Sequence, residues 1–133
     1  MDGRLGRGPD ARPARAERLR RHADFQRVRA AKRSWATPLL VLHAAPNDRV
    51  ETRVGISVSK RVGGAVVRNR VRRRVREAVR LQPGLRPGYD LVFAARPPSA
   101  EAEWAALRGA TVELLRRARL LDTSGQWSVI SDQ

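Results

Sequence analysis

The chain has 133 residues, enough for one domain with one modest core, and carries a formal net charge of +15 at pH 7. It contains no cysteine, which excludes a disulfide framework and a cysteine-ligated zinc finger. No apolar run is long enough to cross a bilayer, and no apolar signal-peptide core lies near the N-terminus. These features predict a cytoplasmic protein that does not insert into a membrane.

The positive charge is concentrated in two segments. Residues 1–34 hold eleven basic and four acidic side chains, and residues 60–80 hold nine basic side chains and one acid, Glu77. Basic and acidic side chains balance in the rest of the chain. Charge that is concentrated in this way is typical of proteins that bind phosphate groups, so it indicates binding to nucleic acid.

The chain divides into an arm, a domain and a tail. Residues 1–17 are rich in Gly, Pro, Arg and Ala and show no apolar period, which predicts disorder in isolation. Contact of this arm with RNA and a merely solvated arm both remain open. Residues 18–121 form the predicted single domain, and residues 122–133 form a C-terminal tail without an interpretable pattern.

The first predicted elements of the domain are a helix and two strands. A short helix is predicted over residues 23–31, and the apolar run over residues 38–45 predicts a strand. The next strand is the clearest, because apolar residues alternate with small or polar ones over residues 53–59. One face of this strand should be buried.

A basic helix is predicted over residues 65–81, after the glycine pair Gly63-Gly64. Its apolar residues recur at helical period and form one stripe: Val67, Val71, Val75, Ala78 and Val79. The opposite face carries Asn69, Arg72, Arg73, Arg76 and Arg80, with Arg68 and Arg70 on its flanks. A charge run is often only a solvated face or a localisation signal, but this one lies between two strand patterns and therefore belongs to the fold. Its like charges destabilise a helix, a cost that phosphate binding would explain.

The last elements are a strand and a helix. Residues 89–95 form an apolar strand that ends before Pro97-Pro98, and Ser99 is predicted to cap the following helix. The face predicted to pack on the core consists of Trp104, Leu107, Thr111, Leu114, Leu115 and Ala118. The order α-β-β-α-β-α predicts an α+β fold, an α/β sandwich in which helices pack on a small central sheet.

The sequence offers no convincing catalytic group. His22 and His43 are the only histidines, and no carboxylate pattern near them suggests a metal site or a triad, so a structural role is favoured for both. The acidic residues are scattered, and neither glycine-rich phosphate-loop motif is present. We therefore expect no catalytic residue and no metal ligand in this polypeptide.

The residues around the basic helix resemble a known family. Arg-Val-Gly-Ile-Ser-Val-Ser-Lys at residues 53–60, Val62-Gly63, Ala65-Val66 and Arg68-Asn69-Arg70 together resemble the protein subunit of bacterial ribonuclease P. The resemblance extends upstream to Leu19 and downstream to the last helix. It is specific as a combined pattern, whereas Arg-Asn-Arg alone would not be.

The resemblance implies a function. Ribonuclease P is the endonuclease that removes the 5′ leader from precursor tRNA, and its RNA subunit performs the hydrolysis with magnesium ions. The protein subunit acts as a protein cofactor that binds this catalytic RNA and contacts the leader. The expected partners are therefore the catalytic RNA subunit and precursor tRNA, with a protein that is monomeric in isolation and binds no cofactor of its own.

The resemblance also implies roles for individual residues. The RNA-facing residues of the helix are Arg68, Asn69, Arg70, Arg72, Arg73 and Arg76, and Lys60 and Arg61 belong to the same stretch. Phe25 stands at the position of an aromatic residue that lines the leader cleft, although it could also be a core residue of its short helix. His43 stands near a position where the family has a cleft tyrosine.

Two further expectations accompany the resemblance. Gly64 replaces an asparagine that is common in the family, which predicts an intact but less firmly fixed helix start. The family also implies a left-handed crossover between the second and third predicted strands, against the general preference for right-handed connections.

Two other functions remain open at this point. A different RNA-binding module, such as a ribosomal protein, would share the charge pattern. A self-sufficient nuclease would require a cluster of carboxylates or histidines that forms only in the folded chain.

Overall fold

The structure is a computed structural model that describes residues 16–121. The described chain contains five strands, three α-helices and one 3₁₀ helix. In chain order these are β1 (Ala16–Arg18), α1 (His22–Ala30), β2 (Ser34–Ala36), β3 (Leu40–Pro46), β4 (Thr52–Val58), α2 (Ala65–Arg80), β5 (Tyr89–Ala95), the 3₁₀ helix (Pro97–Glu101) and α3 (Trp104–Arg117).

The strands form one mixed sheet in the order β1-β4-β5-β3-β2. β4 pairs in parallel with β1 and β5, and β3 pairs antiparallel with β5 and β2. Because β4 and β5 are parallel neighbours, α2 is the crossover between them. The predicted α+β fold is confirmed; the handedness of this crossover stays a prediction.

The sheet is covered on both faces. On one face α2 and α3 contribute the main core, in which Val75 and Leu114 pack with Leu42 and Phe93 of the sheet. On the other face α1 contributes a second, smaller cluster around Val28. Burial on both faces explains why β5 is apolar along most of its length without alternation.

The two short strands were not predicted. β1 and β2 have three residues each, which is too short for an apolar period to show. β1 includes Ala16 and Glu17, which the sequence analysis assigns to the arm, so the folded chain begins before the predicted boundary. The remaining arm before residue 16 and the tail from residue 122 lie outside the described residues.

The start of the last helix was predicted wrongly. Ser99 does not cap α3; its hydroxyl donates to the carbonyl oxygen of Arg96, at 2.7 Å, within the 3₁₀ turn that follows the proline pair. α3 begins at Trp104, with Glu103 as its N-cap residue. Leu107, Thr111 and the other predicted core residues of the helix are buried, whereas Trp104 is only half-buried.

A buried carboxylate ties α1 to the sheet. Asp90 of β5 is fully buried and accepts two hydrogen bonds from Arg53 of β4, at 2.8 and 2.6 Å, and one from the Asn47 side chain, at 2.8 Å. Arg27 of α1 is paired with the same carboxylate. Asp24 of α1 lies 3.6 Å from the Arg53 guanidinium. The network joins α1, β4, β5 and the loop between β3 and β4.

The network sets the ionisation of Asp90. Burial by itself raises the pKa of this carboxyl, but hydrogen bonds from Arg53 and Asn47 and the charges of Arg53 and Arg27 outweigh burial. The pKa of Asp90 is therefore below its ordinary value, and the carboxylate is ionised at neutral pH.

We predict that this carboxylate makes the fold acid-sensitive. A carboxyl with a lowered pKa stabilises the folded state fully above its unfolded pKa, about 3.9, and loses that contribution as pH falls through its folded pKa. Asp90→Asn should lower the free energy of unfolding at pH 7 by about 1–3 kcal/mol, because it removes the buried counter-charge to which the partly buried Arg53 guanidinium donates. Urea unfolding at a series of pH values measures both effects.

The matched control is Asp48→Asn, at an exposed loop position with a positive φ of 59° that asparagine tolerates. This variant should behave like the unchanged protein. The difference between Asp90→Asn and the unchanged protein should shrink as pH falls toward the folded pKa of Asp90. A constant difference would contradict the assigned role.

Candidate RNA-binding surface

The outward side of α2 presents a basic face, which we define as Asn69, Arg72, Arg73 and Arg76. The helix forms as predicted because Val71, Val75 and other apolar residues of the stripe are buried against the sheet and α3. Asn69 and Arg73 are exposed, and Arg72 donates a hydrogen bond from Nη1 to Asn69 Oδ1, at 2.7 Å. The face has no carboxylate of its own.

The two arginines on the flanks of this face are held by backbone oxygens. Arg68 donates from Nε to the carbonyl oxygen of Gly63, at 3.1 Å, and Arg70 donates from Nη2 to that of Ala100, at 3.0 Å. A guanidinium has five N–H donors, so each side chain keeps donors for phosphate while its position is fixed. These arginines thus support the fold and also remain available for binding.

Arg80 differs from the arginines of the basic face. It donates to both carboxylate oxygens of Glu77, at 3.0 and 2.5 Å. The ion pair compensates its charge; the i,i+3 spacing of Glu77 and Arg80 on the helix permits this pair, although the sequence analysis did not assign it. The positive surface therefore lies mainly in the first three turns of α2.

β1 adds a basic residue that sequence reasoning did not assign to the site. Burial lowers the pKa of Arg76, and repulsion from Arg18 and Arg72 lowers it further. Arg18 belongs to β1, which pairs with β4 at the edge of the sheet next to α2. Since β1 has no periodic signal, no feature of the sequence could have placed Arg18 beside this helix.

The loop before α2 presents Lys60 and Arg61, which are both exposed. Two backbone N–H groups hold this loop: that of Arg61 donates to Ser59 Oγ, at 3.3 Å, and that of Val62 donates to the Ser59 carbonyl, at 3.0 Å. Val62 is buried and anchors the loop to the main core. The two cations therefore lie at the N-terminal end of α2.

Gly63 and Gly64 shape the start of the helix. A Cβ atom at Gly63 would lie 3.0 Å from Val67 Cγ1, closer than side chains normally pack. Gly64 is the N-cap residue and supplies no side-chain hydrogen bond, but its carbonyl accepts from the Arg68 N–H, at 2.9 Å. The helix starts where predicted without a side-chain cap.

Phe25 lies on the other face of the sheet. A Cβ atom at Gly55 of β4 would lie 2.4 Å from Phe25 Cζ, so the ring packs directly on the backbone of that strand and requires glycine there. Phe25 is half-buried and also packs on the second cluster, beside Leu19 and Val28. The ring therefore contributes to the core while part of it stays accessible.

His43 lies on the same sheet face as Phe25. Gly55 of β4, Val92 of β5 and His43 of β3 are paired in one row across the sheet. Because neighbouring strands lie about 5 Å apart, Gly55 and His43 are separated by about 10 Å. His43 is half-buried, and its Nδ1 has no hydrogen-bond partner among the described residues. Burial lowers the pKa of His43 and the charge of Arg29 lowers it further, so the imidazole is neutral at pH 7.

These side chains lie on the side of the sheet that α1 covers. We use the term cleft for the surface formed there by Phe25, Arg29, His43 and Ser57; Arg29 donates from Nη2 to Ser57 Oγ, at 3.0 Å. Phe25 and His43, predicted as a pair, are thus brought to one face of the sheet. They lie on the opposite side from α2, so the predicted residues form two surfaces.

The acidic and histidine side chains of residues 16–121 do not converge on one site. Within that range no group of three or more His, Cys, Asp and Glu side chains could hold a metal ion. Asp24 and Asp90 are engaged with arginines. No helix in the same range is long and apolar enough to cross a membrane.

Comparison with known proteins identifies the family. Residues 14–119 match the family model described as Ribonuclease P. The Ribonuclease P protein component of Roseiflexus castenholzii is 54% identical over 106 residues, which cover 78% of this chain and 87% of that protein.

Solved structures agree with this result. The RNase P protein of Staphylococcus aureus superimposes with a TM-score of 0.72 at 30% identity, covering 81% of this chain and all of the other. The RNase P protein of Thermotoga maritima gives a TM-score of 0.69 at 29% identity, covering 76% of this chain and 96% of the other.

The chain is thus a small α+β protein with a basic crossover helix. Its fold is shared with these solved proteins. The chain belongs to the family of ribonuclease P protein components. Members of this family are the protein subunits of a ribonucleoprotein endoribonuclease that processes tRNA.

Proposed function

We propose that the chain binds the catalytic RNA subunit of ribonuclease P through the basic face of α2 and the loop at Lys60 and Arg61. The single observation that carries this proposal is the outward side of α2, on which arginines stand without a carboxylate beside them. Guanidinium groups bind phosphate bidentately, and neutralising phosphates releases counterions from RNA. Arg68 and Arg70 extend the same surface from fixed positions.

We further propose that the cleft binds the 5′ leader of precursor tRNA. A single-stranded leader has unstacked bases, and aromatic rings bind such bases by stacking. The accessible part of Phe25 can stack on one base, while neutral His43 offers a second, smaller ring. Arg29 at the edge of the cleft can contact the leader backbone.

In this proposal the protein supplies binding and the RNA subunit supplies chemistry. The two surfaces lie on opposite sides of one sheet and hold the catalytic RNA and the leader at fixed relative positions. This lowers the entropy cost of bringing the cleavage site of precursor tRNA to the catalytic RNA. We propose that the magnesium ions used in the hydrolysis are bound by the RNA subunit. We propose that the protein acts in the cytoplasm and is monomeric until it joins the RNA.

Cleavage of precursor tRNA at low magnesium concentration tests this function. The RNA subunit alone, the protein alone and the two together should be compared. Cleavage at the mature 5′ end should be far faster with both, because the protein adds binding energy that replaces screening by magnesium. Cleavage by the protein alone would indicate an active site of its own, and an absence of stimulation would contradict the proposal.

The basic face is tested by charge reversal. Arg73→Glu should weaken binding of the catalytic RNA and reduce the slope of log affinity against log salt by about one unit for each lost phosphate contact. Arg108→Glu, at an exposed position on α3, makes the same charge change outside the proposed surface and should leave the slope nearly unaltered. An unaltered slope in Arg73→Glu would remove Arg73 from the interface.

The cleft is tested with Phe25→Leu, which keeps an apolar contact over Gly55 but removes the stacking ring. In the reconstituted holoenzyme, affinity for precursor tRNA should fall by about fivefold or more, the loss of one base stack. Affinity for tRNA without a leader should stay the same. Equal losses for both RNAs would show that Phe25 acts only through the fold.

A further inference from the structure

A groove of about 410 Å³ lies between α2 and the segment that leads from the 3₁₀ helix into α3. Arg70 and Arg74 line it from α2, and Glu101, Glu103 and Trp104 line it from the other side. It is distinct from the cleft, which lies on the opposite face of the sheet.

The two arginines of the groove are fixed in place. They lie one turn apart on α2, and each donates to a backbone carbonyl: Arg70 to Ala100, at 3.0 Å, and Arg74 to Ala102, at 3.1 Å. Each guanidinium retains further N–H donors. Because the side chains are already ordered, a bound phosphate costs little additional side-chain entropy.

Trp104 gives the groove an aromatic surface. It is half-buried and is the first residue of α3. Trp104 is not one of the partly buried apolar side chains of residues 16–121 that pack on the main core. Those side chains include Trp35, Val67 and Ala102. An indole that borders a groove beside arginines can stack on a nucleobase.

The acidic residues narrow the choice of ligand. Glu101 and Glu103 are exposed at the groove and balance the charge of the two arginines. A simple anion would gain little from a site with balanced charge. Carboxylates accept hydrogen bonds from exocyclic amino groups of bases, as they do from N4 of cytosine. The groove therefore fits a ligand that brings a phosphate, an aromatic base and an amino group.

We propose that the groove binds one unpaired nucleotide whose base carries an exocyclic amino group. Arg70 and Arg74 bind its phosphate, the base stacks on Trp104, and Glu101 or Glu103 accepts from the amino group. This inference rests on the proposed function in one respect: the nucleotide belongs to the RNA that contacts α2, since Arg70 is shared by the groove and that surface.

The test is a nuclear magnetic resonance titration of the full, ¹⁵N-labelled chain. The indole N–H signal of Trp104 is identified by its loss in Trp104→Phe. Cytidine 5′-monophosphate should shift this signal saturably, whereas uridine 5′-monophosphate, which lacks the amino group, should bind about fivefold or more weakly. Inorganic phosphate alone should not produce the shift.

Variants connect the signal to the proposed contacts. Arg74→Gln should weaken cytidine 5′-monophosphate binding by about tenfold, the loss of one charge-assisted phosphate contact. The double variant Glu101→Gln and Glu103→Gln should reduce the preference over uridine 5′-monophosphate, and it changes only exposed side chains. Glu113→Gln, at an exposed position farther along α3, is the control and should bind like the unchanged chain.

Three results would overturn the inference: no shift of the Trp104 signal at millimolar cytidine 5′-monophosphate, an equal response to phosphate alone, or equal affinities for the two nucleotides. The titration contains no RNA subunit, so its outcome is separate from the cleavage experiment. Stimulated cleavage without an indole shift would reject the groove alone, and an indole shift without stimulation would reject the proposed function alone.

Discussion

The buried carboxylate of Asp90 is the contact on which the placement of α1 depends. α1 is a helix of nine residues with only Val28 fully buried, so apolar packing alone holds it weakly. Asp90 compensates, because its buried carboxylate pairs with both Arg27 of this helix and Arg53 of β4. The same network closes the β3–β4 loop through Asn47. The position of α1 on the sheet therefore depends on an electrostatic contact with a carboxylate buried in the sheet.

Arginine serves two purposes in this chain, and the structure separates them. Some guanidinium groups are engaged within the fold, as Arg53 is with Asp90 and Arg80 with Glu77. Others stand on the basic face of α2, where burial and repulsion from Arg18 and Arg72 lower the pKa of Arg76. That repulsion is unfavourable for the isolated protein, and a polyanion relieves it. Arg68, Arg70 and Arg74 are intermediate, because one N–H of each binds a backbone carbonyl.

The sheet keeps the two surfaces apart while fixing their relative position. β4 contributes to both: Gly55 supports Phe25 on one face, and the strand leads at its end into the loop of Lys60 and Arg61 before α2. Its parallel pairing with β5 requires a crossover, and the crossover helix packs on the face opposite α1. A single interior strand of the sheet thus connects the cleft to the basic face.

The amino-acid sequence alone was enough to predict the longer elements, the buried stripe of α2 and its basic face, because these depend on periodicity within one segment. The family resemblance added Phe25 and His43, which the structure brings to one side of the sheet. Three features appear only in the folded chain: the short strands β1 and β2, the position of Arg18 near Arg76, and the groove between Arg74 and Trp104. These features join segments that are distant in the chain, and no local pattern of residues encodes which distant partner an arginine or an aromatic ring will meet.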